Sequence, residues 1–291
     1  MESKLIETAD NRLLEVLATG EKHSSAVVFH HGTPGHAVFW ERIFETWNFK
    51  QVMGIAISRP GYGQSTRNIG RSVASQILDT AAVLDSLEID NFVSVGWSGG
   101  GPHALADNFD SRSRGSLLLA GAAPYKIEGF NFMDGMGPEN VEEFESALQG
   151  IEVIERWLSE NASTLPKVGP ETIAKDLGGL VSKPDVEALN GGLALVIARS
   201  FNLGLHNDFS GWIDDDLAFT RDWGFDLDEL DKPVLIVQGD MDFMVPQTHA
   251  QVLKGLLKRG TYISRENQGH ISILKNFSVE LGSLVNLLEQ K

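Results

Sequence analysis

Gly96-Trp97-Ser98-Gly99-Gly100 follows an apolar β-branched run, Phe92 to Val95, and opens a stretch of helical character. A G-x-S-x-G sequence between a strand and a helix marks a tight, strained turn. The glycines are needed there because side chains would collide with the neighbouring strand and helix as the turn closes. Such a turn lifts the Ser98 hydroxyl above the sheet, and the helix N-terminus behind it favours developing negative charge.

Outward from that turn, short apolar runs alternate with helical patterns. Ala26 to His31, Val52 to Ser58, Phe92 to Val95 and Ser116 to Gly121 read as strands. Val38 to Trp47, Ser72 to Leu87 and the segment after Ser98 read as helices, the second with Val73, Ile77, Ala81 and Leu84 on one stripe and Asp79 and Asp85 elsewhere on the wheel. Strands apolar throughout and separated by helices imply a buried, mostly parallel sheet with helices on both faces. Residues before Ala26 read as an antiparallel edge pair turning at Asp10-Asn11-Arg12.

The alternation stops between residues 125 and 225, which show helical periodicity without a strand run; Ile151, Ile154, Trp157 and Leu158 form one stripe, and Leu189 to Phe201 another apolar segment. It resumes with strands at Val234 to Val237 and Thr261 to Ser264 and helices over Thr248 to Leu257 and Ile271 to Leu288. The expected organisation is therefore a core of residues 1–124 and 226–291 interrupted by a helical insertion, 125–225.

That insertion carries 7 Lys and Arg against 18 Asp and Glu, a net −11 within a chain of 291 residues and net charge −16. A nucleic-acid partner is excluded by this balance, since such binding needs a basic face. An apolar fraction of 42% and a charged fraction of 22% describe an ordinary globular chain. No apolar run reaches the length of a membrane span, and Met1 to Asp10 lacks the basic start and apolar stretch of a signal peptide. With no cysteine there is no disulfide or Cys-ligated metal, and a cytoplasmic location is the expectation. No metal-ligand spacing, phosphate loop or nucleotide fingerprint occurs, so no cofactor is expected. The oligomeric state is left open.

A serine nucleophile needs a base, and the base needs orienting. Of eight histidines, His270 lies in a loop between the last strand and last helix, at the same sheet edge as Ser98. The others have plainer readings: His103 packs within the helix after Ser98, His249 starts a helix, His23 and His206 lie on the surface, His30 ends a strand, and His31 and His36 flank a turn. Two acids, Asp240 and Asp242, occupy the loop after Val234 to Val237, and position alone does not separate them. His31-Gly32-Thr33-Pro34-Gly35 follows an early strand; there the Thr33 amide can pair with the Gly99 amide to hold an oxyanion. Each such donor is worth roughly 3–4 kcal/mol in the transition state.

Together and in this order, these elements resemble the α/β-hydrolase superfamily, specifically its serine hydrolases with a helical lid, among them esterases and proline iminopeptidase-like enzymes. The resemblance implies an α/β-hydrolase fold, a Ser98, Asp242, His270 triad and a Thr33/Gly99 oxyanion hole. Its G-x-x-D-x-x-V-P pattern falls on Gly239, Asp242, Val245 and Pro246 and selects Asp242 over Asp240. Arg59-Pro60-Gly61-Tyr62-Gly63-Gln64-Ser65 matches a loop that shapes the site without doing chemistry, with Ser58 where an Asp is common. Serine rather than aspartate as nucleophile disfavours epoxide or carbon–halogen hydrolysis. A small acyl substrate, first a lipophilic carboxylic ester, is expected, with Trp97, Met133, Met136 and Trp212 as candidate pocket residues; Met133, Met136, Trp157, Trp212 and Trp223 of the insertion either line that pocket or form the insertion's own core.

Two alternatives accompany that expectation. In a proline iminopeptidase-like enzyme, carboxylates of the insertion would hold a substrate amine, whereas an acidic helix surface is ordinarily a solvated face, and the imbalance reads first that way. A receptor or interaction module of the same fold is the alternative of another class; such proteins often lose a triad member or an oxyanion glycine, and this chain keeps both.

Overall fold

In the computed structural model, which describes residues 3–19 and 22–289, eight strands form one sheet. In chain order they are β1 (Lys4–Glu7), β2 (Leu13–Ala18), β3 (Ser25–His30), β4 (Met53–Ile57), β5 (Asn91–Trp97), β6 (Ser113–Leu119), β7 (Val234–Gly239) and β8 (Gly260–Arg265). The spatial order is β1-β2-β4-β3-β5-β6-β7-β8, antiparallel at β1–β2 and β2–β4 and parallel elsewhere. The edge pair turns where expected, with Thr8 N donating to Arg12 O at 2.8 Å and Asn11 left-handed at φ 63°. Residues 1–2, 20–21 and 290–291 of the expected core lie outside the described residues.

The parallel strands β3 to β7 are buried on both faces, which is why they read as continuous apolar runs, whereas β8 at the sheet edge is only partly buried. Val27 and Phe29 of β3 join one apolar cluster, and Ala26 and Val28 join the opposite one. The first cluster runs on into Ile154, Leu158, Ile197, Phe201 and Trp212 of the helical segment. β6 starts earlier than its apolar run suggests and stops at Leu119, because Ala120 turns left-handed at φ 51°.

The helices are α1 (Glu41–Glu45), α2 (Ser75–Leu87), α3 (Gly100–Ala106), α4 (Pro138–Leu148), α5 (Ile151–Asn161), α6 (Ile173–Asp176), α7 (Lys183–Ala188), α8 (Ala194–Gly204), α9 (Ser210–Phe219), α10 (Gln247–Leu256) and α11 (Ser278–Val285). Everything regular between β6 and β7 is helical among the described residues. The expected helix over Val38 to Trp47 divides into a 3₁₀ turn, Ala37–Trp40, and α1. That over Ile271 to Leu288 breaks at Asn276, between a 3₁₀ turn and α11.

On α2 the buried face is rotated from the expected stripe: Gln76, Asp79, Thr80, Val83 and Leu84 are buried, whereas Ile77 and Ala81 are half-buried. Asp79 can face inward because Arg12 of the edge hairpin reaches it, Nη2 to Oδ1 at 2.6 Å. No helix of the described residues is long and apolar enough to cross a membrane.

Candidate active site

Ser98 sits between β5 and α3 with φ 56°, the left-handed region that costs a non-glycine residue roughly 1–2 kcal/mol. Its amide donates to Leu119 O at 2.9 Å, pinning the turn to β6. The flanking glycines are dictated by contact: a Cβ at Gly96 would collide with Gly100 O, and one at Gly100 with His30 O.

His270 is buried, and its Nδ1 lies 2.9 Å from Asp242 Oδ2. A carboxylate only accepts, so Nδ1 carries the proton and Nε2 is left as an acceptor. Asp242 is itself held: Met244 N and Val245 N donate to Oδ1 at 2.9 and 2.8 Å, and Gln238 Nε2 donates to Oδ2 at 2.8 Å. Asp240, two residues away, is exposed. The geometry therefore separates two acids that position in the sequence leaves equivalent.

Ser98 and His270 line one cavity of about 240 Å³, together with Gly32, Thr33 and Gly99. A Cβ at Gly99 would collide with Thr33 Oγ1, so the two backbone segments lie in close apposition. Neither the Thr33 nor the Gly99 amide finds an acceptor among the described residues. Trp97, Met136 and Trp212 line the cavity, and so does Trp157. Met133 does not. Phe132 takes its place, while Met133 is half-buried and packs against a third apolar cluster that includes Leu118, Phe132 and Leu253. Trp223 belongs to that cluster too.

The other buried histidines make structural contacts. His30 Nε2 meets Asp107 Oδ2 at 2.7 Å, and His36 Nε2 meets Glu15 Oε2 at 3.0 Å. His249 bridges Phe132 O and Ala123 N. Burial pushes His103 down to about 3, so it stays neutral beside Asp215.

The acidic helical segment is not simply a solvated face. Glu143, Asp185, Asp214, Asp215 and Asp216 are all buried. Asp215 is the hub: Arg59 Nη2 and Arg71 Nη1 each reach it at 2.7 Å, and Thr33 Oγ1 and Tyr62 Oη donate to Oδ2 at 2.7 and 2.8 Å. Burial alone would raise this carboxyl, but Arg59 and Arg71 outweigh it and hold it well below the usual carboxylate range. Glu143 and Asp216 line the cavity itself. Burial pushes Glu143 up to about 7 against a 2.6 Å hydrogen bond from Trp212 Nε1. Burial and the adjacent Glu143, with which it shares a hydrogen bond, push Asp216 well above the usual range. Sequence reasoning missed these residues. The available sign was Asp214-Asp215-Asp216 set between Trp212-Ile213 and Leu217-Ala218-Phe219, which leaves the helix no polar face.

Comparison with known proteins comes down on the same architecture. The model of the "Alpha/beta hydrolase family" matches residues 27–276. The "Uncharacterized hydrolase YcgS" of Bacillus subtilis (strain 168) is 24% identical over 292 residues, 96% of this chain and 95% of that one. The pimeloyl-[acyl-carrier protein] methyl ester esterase of Salmonella newport (strain SL254) is 25% identical over 269 residues, 90% of this chain and 93% of that one. An esterase from Exiguobacterium antarcticum superposes with a TM-score of 0.70 at 20% identity, over 98% of this chain and 100% of that structure.

Proposed function

The chain belongs to the alpha/beta hydrolase family, and from that premise we propose that it is a serine hydrolase cleaving a small acyl substrate, first a carboxylic ester, through an acyl-enzyme on Ser98. The observation that carries this reading is the 2.9 Å contact of His270 Nδ1 with Asp242 Oδ2, on the same cavity as Ser98. It leaves Nε2 free to accept a proton and supplies the negative partner for the imidazolium that forms.

In the first half-reaction the Ser98 hydroxyl oxygen attacks the carbonyl carbon as its proton passes to His270 Nε2. The carbonyl oxygen becomes an oxyanion facing the Thr33 and Gly99 amides, whose N–H groups lack other acceptors. Collapse breaks the bond to the leaving alkoxide, which takes the proton from His270. Water then repeats the sequence on the acyl-enzyme, releasing the acid and restoring Ser98. The apolar walls, Trp97, Phe132, Trp157, Trp212 and Phe219, suit an uncharged acyl chain. Residues 125–225 act in this reading as a lid that shapes the acyl pocket. A panel of carboxylic esters of graded chain length tests it: turnover of short and medium chains supports it, and none for any ester defeats it.

A second reading draws on Glu143 and Asp216. Two adjacent buried carboxyls on the cavity suit a substrate that brings a protonated amine, which would replace the proton they share. Aminoacyl esters or amides would then turn over faster than acyl compounds of equal size, and Asp216→Asn would raise KM for the amine alone. Equal effects on neutral esters would eliminate this reading.

A further inference from the structure

One buried carboxyl of the helical segment touches the loop that carries His270. Asp185 of α7 is fully buried, and its two oxygens accept from three successive amides of that loop. His270 N donates to Oδ2 at 3.1 Å, and Ile271 N and Ser272 N donate to Oδ1 at 2.9 and 2.8 Å. The same carboxyl closes the start of its own helix, taking Ser182 Oγ and Ser182 N on Oδ2 at 2.9 and 3.3 Å. Capping α7 requires only the Ser182 contacts. The three amides lie 85 to 87 residues further along the chain and are no part of that cap.

The fit leaves no slack. A Cβ at Gly269 would collide with Asp185 Oδ2 and with Ser182 Oγ, so glycine is the residue that lets α7 approach. On the other side of His270, Trp97 Nε1 donates to its carbonyl at 3.0 Å. The His270 peptide is thus gripped at its N–H by Asp185 and at its C=O by the residue preceding Ser98, while Asp242 holds the ring.

We infer that Asp185 is a positioning residue for His270: it fixes the loop backbone so that the imidazole stands in register with Ser98 and Asp242 only while α7 is docked on that loop. The inference rests on the serine-hydrolase reading for its consequence in turnover, but its structural content is independent of that reading. If Asp185 lets go, three amides lose their acceptor together, and His270 is left held only by Asp242 at its ring and by Trp97 at its carbonyl.

Two measurements test it. In Asp185→Asn, kcat for a small ester falls roughly 10- to 100-fold with KM unchanged, the scale expected for a misplaced catalytic group. The proton NMR signal of the His270 Nδ1–H held by Asp242 broadens or is lost in the same variant. A wild-type kcat, or a fall in kcat with the imidazole signal intact, overturns the inference and leaves Asp185 a helix cap. The second measurement, hydrogen–deuterium exchange, uses the unmodified protein and so does not depend on that variant folding. The amides of His270, Ile271 and Ser272 exchange at the rate of the Val186 amide of α7, because one undocking event frees them all. Rapid exchange of the three with Val186 protected overturns it. If the unmodified protein turns over no ester, the hydrolase reading fails alone, and the imidazole signal and the exchange rates still decide the role of Asp185.

Discussion

Arg59 Nη2 donates to Gly32 O at 2.9 Å, while Nη1 of the same guanidinium donates to His31 O at 2.5 Å. His31 Nδ1 also donates to Gly32 O, at 2.7 Å. The Gly32–Thr33 peptide is trans, so its N–H points opposite to its C=O. Two donors on Gly32 O therefore aim the Thr33 amide away from the guanidinium. A fully buried arginine thus orients one of the two proposed oxyanion donors, and Asp215 of α9 holds that arginine in turn.

Arg59→Lys tests this link. An ammonium is a point charge and does not reproduce the planar fork that spans two carbonyls and a carboxylate. The variant is expected to lose roughly 10- to 100-fold in kcat with a small change in KM, because the Thr33 amide that Arg59 orients meets the substrate only in the transition state. Steady-state kinetics on an ester checks it; an unchanged kcat would detach Arg59 from the oxyanion.

Asp215→Asn leaves Arg59 and Arg71 buried without their counter-charge. Breaking one side of a buried ion pair costs about 3–5 kcal/mol, far more than the pair adds over an apolar replacement. Urea unfolding should show a correspondingly lower midpoint with an unchanged slope.

The pH dependence of stability should carry the mark of Glu143. Its ordinary value of 4.5 rises to about 7 in the fold, chiefly through burial. Below 4.5 the group is protonated folded or unfolded and contributes no difference. Through that window the unfolded chain gives up its proton first, so stability falls as pH rises and stays lower above about 7. Glu143→Gln keeps an acceptor for Trp212 Nε1 and removes the titration. Its melting temperature should therefore decline less than that of the unmodified protein across the same window, as thermal melts at a series of pH values would reveal.

Between the two aspartates of the β7–α10 loop the expected contrast is large. Asp242→Asn removes the partner of the His270 imidazolium and should lower kcat by roughly 10⁴-fold. Asp240 is exposed and touches neither His270 nor the cavity, so Asp240→Asn should leave kcat essentially unchanged. Reversed results would mean that the geometry at His270 is not the working one.

What was legible in the sequence followed from local rules. Parallel strands buried on both faces have to be apolar throughout, and the turn at Ser98 needs glycines where backbones touch, so sheet and turn could both be read from residue types alone. The acids mostly could not. Asp242 is separated from Asp240 only by the resemblance's loop pattern, since the two differ in which of them the loop folds inward. Asp79, Asp185 and Asp215 are buried because Arg12, three loop amides, and Arg59 with Arg71 meet them from distant parts of the chain. A carboxylate counted toward net charge looks solvated until its partners are known. Met133 lies off the cavity, whereas its neighbour Phe132 lines it.

The most direct test of the central claim is covalent. The unmodified protein and Ser98→Ala are treated with a fluorophosphonate probe, and the intact masses and the modified peptide are read by mass spectrometry. One phosphonyl group per chain is expected, on the peptide bearing Ser98, and none on the folded Ser98→Ala variant. Equal labelling of both proteins, or an unmodified protein that hydrolyses esters without taking up the probe, would contradict it.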